Sequence, residues 1–198
     1  MKLFLNDEEL DFTLENEKIL LDVYNAMVEL AKKNEAVITE VKVDGRILTQ
    51  EDFGIYMEKE ISQVEKFEFS TVLLAGLFGI LAEILPVEGS VFAKIESLSG
   101  LLQTGQVSDA SKIIQEIMSL MEIILYVFNC CGNFPEKFAS ENIGDQSFKE
   151  FFDGLMGVLP EFLDSFEKKD YVLLGDINEY EILPRLKNLA VFASAKSK

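Results

Sequence analysis

The sequence predicts an α+β protein: a small strand–strand–helix–strand–strand unit over residues 1–70, followed by a predominantly helical bundle over residues 71–198. Three observations carry this reading. Up to about Ser70 the apolar residues come in short, often alternating runs. Beyond it they recur at three- and four-residue spacing in long stripes, the period of a helix with one apolar face. A hydrophobic content of 48% in 198 residues is also enough for a sizeable core.

Residues 2–5 and 10–14 are two extended segments separated by the acidic turn cluster Asn6, Asp7, Glu8 and Glu9, which predicts a hairpin. Asn16 can cap a helix whose apolar face is Ile19, Leu20, Val23, Tyr24, Met27, Val28, Leu30 and Ala31, ending near Asn34. Val37, Thr39, Val41 and Val43 alternate with Ile38, Glu40 and Lys42 as a half-buried strand does, and Asp44-Gly45 supplies the turn to Ile47 and Leu48. Thr49 and Asp52 have the spacing of a capping box with a shortened acid, so a short helix is expected over residues 51–58. Val64, Phe67 and Phe69 then form a last strand.

This order of elements resembles the β-grasp fold, in which a small mixed sheet packs against one helix. The resemblance covers roughly a third of the chain and implies partner binding through the sheet face or its edge. No Gly-Gly closes the unit, so it does not imply a conjugated modifier.

Beyond Ser70, a helix over residues 71–85 is stopped by Pro86, and a second runs from Val91 to Leu102. Ser108 is a suitable N-cap for a long central helix carrying Ile113, Ile117, Leu120, Met121, Ile124, Leu125 and Phe128 on one side. Gly132, Asn133 and Pro135 break it. Ser147 and Glu150 have capping-box spacing and open a helix lined by Phe148, Phe151, Phe152, Leu155, Leu159, Phe162, Leu163 and Phe166. Asp170 starts the last helix, which Pro184 interrupts. Strand is expected only in the first 70 or so residues.

With no histidine in the chain, His-based triads and zincin sites are excluded. Gly76-Leu77-Phe78-Gly79 and Gly154-Leu155-Met156-Gly157 lack the Lys-Ser or Lys-Thr that follows a phosphate loop, and no Gly-x-Ser-x-Gly elbow occurs. A net charge of −17 repels phosphate backbones and anionic bilayers, so neither nucleic acid nor stable membrane insertion is expected. The same charge suits a basic protein partner, and the composition is compatible with a homo-oligomer. The adjacent Cys130 and Cys131 are poorly placed to bridge each other, which favours reduced, structural thiols and a cytoplasmic location. The acidic N-terminus offers no signal-peptide core.

Asp176-Ile177-Asn178-Glu179-Tyr180-Glu181 is the segment that most needs explaining. A regular helical wheel places Asp176 and Glu179 on the side of Val172, Leu183 and Leu186. Buried, they would require a cation or hydrogen bonds; solvated, they mark a boundary, with Glu181 paired to Arg185, and this second reading is favoured. Tyr171 and Tyr180 flank the segment and have the apolar body and polar tip of interface residues. Tyr171, Asp176, Glu179, Tyr180 and Glu181 are therefore the candidate binding residues, with no catalytic or metal-ligating set and no cofactor expected. The function these features favour is a non-catalytic intracellular protein-binding module, adaptor or chaperone-like. Small acidic secretion and flagellar chaperones are similar in charge and helical content. The alternative is an enzyme or small-ligand-binding protein with an acidic pocket at the junction of the two units.

Overall fold

The computed structural model describes residues 1–12 and 16–197, so the end of the expected strand over 10–14 lies outside the described residues. The chain divides into two compact units, Met1–Leu74 and Ala75–Lys198.

The first unit contains β1 (Lys2–Leu5), β2 (Glu8–Leu10), helix α1 (Leu20–Lys33), β3 (Ala36–Val43), β4 (Arg46–Ile47), helix α2 (Gln50–Met57) and β5 (Lys66–Leu73). Its sheet has the order β2-β1-β5-β3-β4, with β1 parallel to β5 and the other neighbours antiparallel. This is the β-grasp arrangement. Both hairpins turn on two residues with positive φ, Asn6-Asp7 at 49° and 67° and Asp44-Gly45 at 50° and 82°, the left-handed pair that matches strand twist. Leu3, Leu20, Val23, Met27, Val41, Val43, Phe67 and Phe69 form the heart of the core between sheet and helix.

Two local expectations change here. The first helix begins at Leu20 rather than after Asn16, because the Asp22 carboxylate reaches back to accept the backbone N–H groups of Lys18 and Ile19. The simple alternation of β3 is broken between Ile38 and Glu40, where Thr39 is an extra residue opposite Thr71 and Ser70 of β5. The bulge moves Ile38 onto the face of Val41 and Val43, and the Thr39 hydroxyl donates to the Ser70 carbonyl at 3.2 Å. The Thr49 cap and the α2 helix form as the spacing predicts.

The second unit is almost entirely helical. Helix α3 (Leu74–Ile84) starts three residues later than its periodicity suggests, because β5 continues to Leu73. The segment expected as one helix over 91–102 is two, α4 (Ser90–Glu96) and α5 (Leu98–Gln103), broken at Ser97. Gly105, at φ 73°, turns the chain into α6 (Val107–Cys131), whose N-cap is Gln106 rather than Ser108. By length and composition α6 could cross a bilayer, a test that core helices also pass; Ile113, Ile114, Ile117, Met121, Ile124 and Val127 are buried within this fold. Helix α7 (Pro135–Phe138) and a two-residue ladder, β6 (Asn142–Ile143) with β7 (Gln146–Ser147), precede α8 (Phe148–Glu167). Strand is thus not confined to the first unit, although this ladder is short and pivots on Gly144 at φ 64°.

The last helix is not uniform either. An α-helical start, α9 (Tyr171–Asp176), leads into a π-helical segment, Ile177–Ile182, and then α10 (Leu183–Lys196). Here the N–H of Leu183 bonds to the carbonyl of Asn178, five residues back, directly before Pro184. A wider turn at this point accommodates a residue that has no N–H to donate.

Candidate binding site

Where α6, α7 and α8 meet, four phenylalanines stack. Phe128 lies 4.4 Å from Phe152 and 4.5 Å from Phe148, and Phe148 lies 4.6 Å from Phe138, all with nearly parallel rings. Such pairs contribute about 0.5–1.5 kcal/mol each beyond the area they bury. Beside the stack is an open pocket of about 600 Å³, its wall completed by Cys131, Gly132, Pro135 and Ala139. That volume falls within the range of small-molecule pockets and is also ample for one or two large apolar side chains.

The first turn of α8 is what orients Phe148 and Phe152. The Ser147 hydroxyl oxygen accepts from the Glu150 N–H at 3.3 Å, while the Glu150 carboxylate accepts from the Ser147 hydroxyl at 2.6 Å and from its N–H at 3.1 Å. This reciprocal cap holds the Glu150 carboxyl below its ordinary value, the hydroxyl contributing most. On the rim Lys149 pairs with Asp153.

Three of the polar lining groups, Ser147, Lys149 and Asp153, are engaged with their own neighbours, Asn129 is a fourth, and the rest of the wall is mainly apolar. Cys131 offers no nucleophile, since burial pushes its thiol up to about 12. The arrangement can desolvate and hold an apolar group.

The five residues singled out from sequence lie elsewhere, on α9 and the π-helical segment. Asp176, Glu179 and Tyr180 are exposed, Tyr180 at 67%, whereas Tyr171 and Glu181 are half-buried. Val172, 74% exposed, lines up with Asp176 and Tyr180 at four-residue spacing, so the segment presents an acidic face with two apolar contacts. Glu181 is held by Arg185, whose guanidinium also donates to the Glu181 carbonyl at 2.8 Å.

The wheel that put Asp176 and Glu179 beside Leu183 and Leu186 assumed a constant 3.6-residue turn. The π-helical turn adds a residue, and the buried polar side chain is instead Asn178, at 0% exposure. Its amide donates to the Ile95 carbonyl at 2.9 Å, at the C-terminal end of α4. Its Oδ1 has no partner among the described residues. Also among the described residues, no group of three or more Cys, Asp or Glu side chains is placed to hold a metal ion.

The phenylalanine pocket was not legible as a site. Its residues have the spacing of core positions, and only the break at Gly132-Asn133 with Pro135 hinted that the ends of α6 and α8 are left open.

Comparison with known proteins follows the same division of the chain. Residues 1–72 match the model described as TP0873 N-terminal domain, and residues 90–191 match the model described as Domain of unknown function (DUF8042). A protein of Treponema pallidum (strain Nichols), described as an uncharacterized protein, is 20% identical over 190 residues, which cover 96% of this chain and 94% of the relative. No solved structure matches.

Proposed function

From a chain that belongs to the DUF8042 family, with more than half its length inside that match, we propose a non-catalytic polypeptide-binding protein, adaptor or chaperone-like, that works inside the cell. The observation that carries the reading is the open pocket of about 600 Å³ lined by Phe128, Phe138, Phe148 and Phe152. A stacked aromatic wall is rigid, so it can accept a partner's apolar side chain without a large ordering cost. The surrounding chain, at −17, attracts basic neighbours of that side chain. The outward face of Val172, Asp176, Glu179 and Tyr180 supplies a second contact of the same character.

The test is selection from a library of short random peptides, read against Ala139→Glu. Ala139 is an exposed pocket residue, so the substitution places a charge in the mouth without emptying the core. Enriched peptides are expected to share a large apolar residue with Lys or Arg nearby, and to bind the variant about tenfold more weakly, as loss of a central contact does. Equal binding to both proteins would remove the pocket from the reading. A small molecule held in stoichiometric amount by the native protein, and lost in the variant, would replace a polypeptide with a ligand.

A further inference from the structure

Helix α8 carries more apolar surface than its packing uses. Its buried positions are Phe151, Leu155, Phe162 and Ser165. Alongside them runs a second series: Phe148, Phe152, Met156, Leu159 and Phe166 are half-buried, the first two within the phenylalanine stack, and Leu163 is 37% exposed. At 100° per residue these six fall within an arc of about 80°, a continuous stripe about 27 Å long. The pocket opens on its N-terminal end, at Phe148 and Phe152.

The stripe has a charged margin. Beside it lie Lys149, Asp153, Asp164 and Glu167, with Lys168 at the end of the helix; Lys149 pairs with Asp153 and Lys168 with Asp164, both pairs exposed, whereas Glu150 and Glu161 lie on the opposite side of α8. Two occupants are disfavoured by charge. A second copy of this chain would bring another −17 against the same surface, and an anionic bilayer would be repelled as well. The occupant that satisfies both stripe and margin is cationic, elongated and apolar along one side.

We propose that α8 is the docking face for a basic amphipathic helix of a partner polypeptide. The helix lies along the stripe and places one large apolar side chain in the phenylalanine pocket. Apolar residues at i, i+3 or i+4 and i+7 of such a helix meet the stripe, while its Lys and Arg residues reach Glu167 and compete with Lys149 and Lys168 for Asp153 and Asp164, exposed pairs that are individually weak. This rests on the polypeptide-binding reading and adds the partner's chemistry, length and orientation.

The experiment uses the full chain and three fluorescent peptides, each about 18 residues long to match the stripe. One is an amphipathic helix of Leu, Phe, Lys and Arg; one has the same composition in scrambled order; one keeps the amphipathic pattern with Glu in place of the bases. The first is expected to bind about tenfold more tightly than either other, and about tenfold more weakly to Leu163→Glu, with Val191→Glu on α10 as a surface control that changes nothing. Hydrogen exchange in the complex should slow along α8. Scrambled and ordered peptides binding alike would reduce the contact to charge and overturn the proposal.

Protection and affinity that respond to Ala139→Glu but not to Leu163→Glu would leave the pocket reading standing and overturn the docked helix. A native dimer that dissociates in Leu163→Glu would assign the stripe to a second copy instead. Circular dichroism of Leu163→Glu separates lost binding from lost fold; if that variant unfolds, Leu163→Lys, expected to weaken the basic peptide similarly, carries the test.

Discussion

Asn178 is a polar side chain with no access to water, and its amide hydrogens are what the Ile95 carbonyl needs at the end of α4. Replacing the amide with a carboxylate would set acceptor against acceptor and bury a charge. Asn178→Asp is therefore expected to cost about 3–5 kcal/mol near pH 7, the range for an uncompensated buried charge. Burial raises the folded pKa of the introduced carboxyl above its unfolded value, so the charged form is the one that opposes folding. The deficit should accordingly shrink as pH falls through that raised value, where the protonated acid can donate to the carbonyl. Urea unfolding of both proteins at neutral and mildly acidic pH measures this; a small, pH-independent deficit would mean the site relaxes around the charge. The buried thiols carry the opposite lesson, since Cys130 and Cys131 are free and burial raises both, so they belong to the packing at the end of α6.

At the scale of elements, α8 depends on how it begins. Ser147 and Glu150 satisfy each other's backbone donors, and the resulting first turn fixes Phe148 and Phe152 against Phe128. Because the folded Glu150 carboxyl sits below its ordinary value of 4.5, its contribution is complete above that value and is lost as pH falls through the depressed folded one. Glu150→Ala is thus expected to lower the melting temperature at neutral pH, with the difference from the native protein closing in acid. Thermal unfolding across a pH series checks it, and a difference that persists once the carboxyl is protonated in strong acid would assign the loss to helix propensity rather than to the cap. The same scale holds the π-helical segment before Pro184, which turns Asp176 and Glu179 outward and Asn178 inward.

For the whole molecule, the proposed docking would divide the work of recognition between charge and apolar surface. A net charge of −17 acts over a Debye length and accelerates the approach of a basic partner, whereas the stripe on α8 and the phenylalanine pocket act only on contact. Raising salt from about 0.02 M to about 0.5 M should therefore slow association with the basic amphipathic peptide by roughly an order of magnitude while changing its dissociation much less. Stopped-flow mixing separates the two rates. A dissociation rate that rises as steeply as association falls would make the bound state mainly electrostatic. The two family matches, over residues 1–72 and 90–191, place the stripe and pocket within the second matched region.

The α+β layout was determined by the sequence itself, because period, turn residues and caps are local: Asp44-Gly45 turns the hairpin, Thr49 and Ser147 cap their helices, and Gly132 with Pro135 ends the longest one. What the local pattern left open required neighbours in space. The Thr39 bulge is visible only against β5, and the face presented by residues 176–181 depends on a turn of changed pitch. The pocket arises because Phe128, Phe138, Phe148 and Phe152, each with the spacing of an ordinary core residue, stack on one another and leave an opening beside them. Sequence periodicity says that a side chain is apolar and which face of its helix it occupies. Whether that face is covered depends on where the other helices lie, and tertiary structure alone decides that.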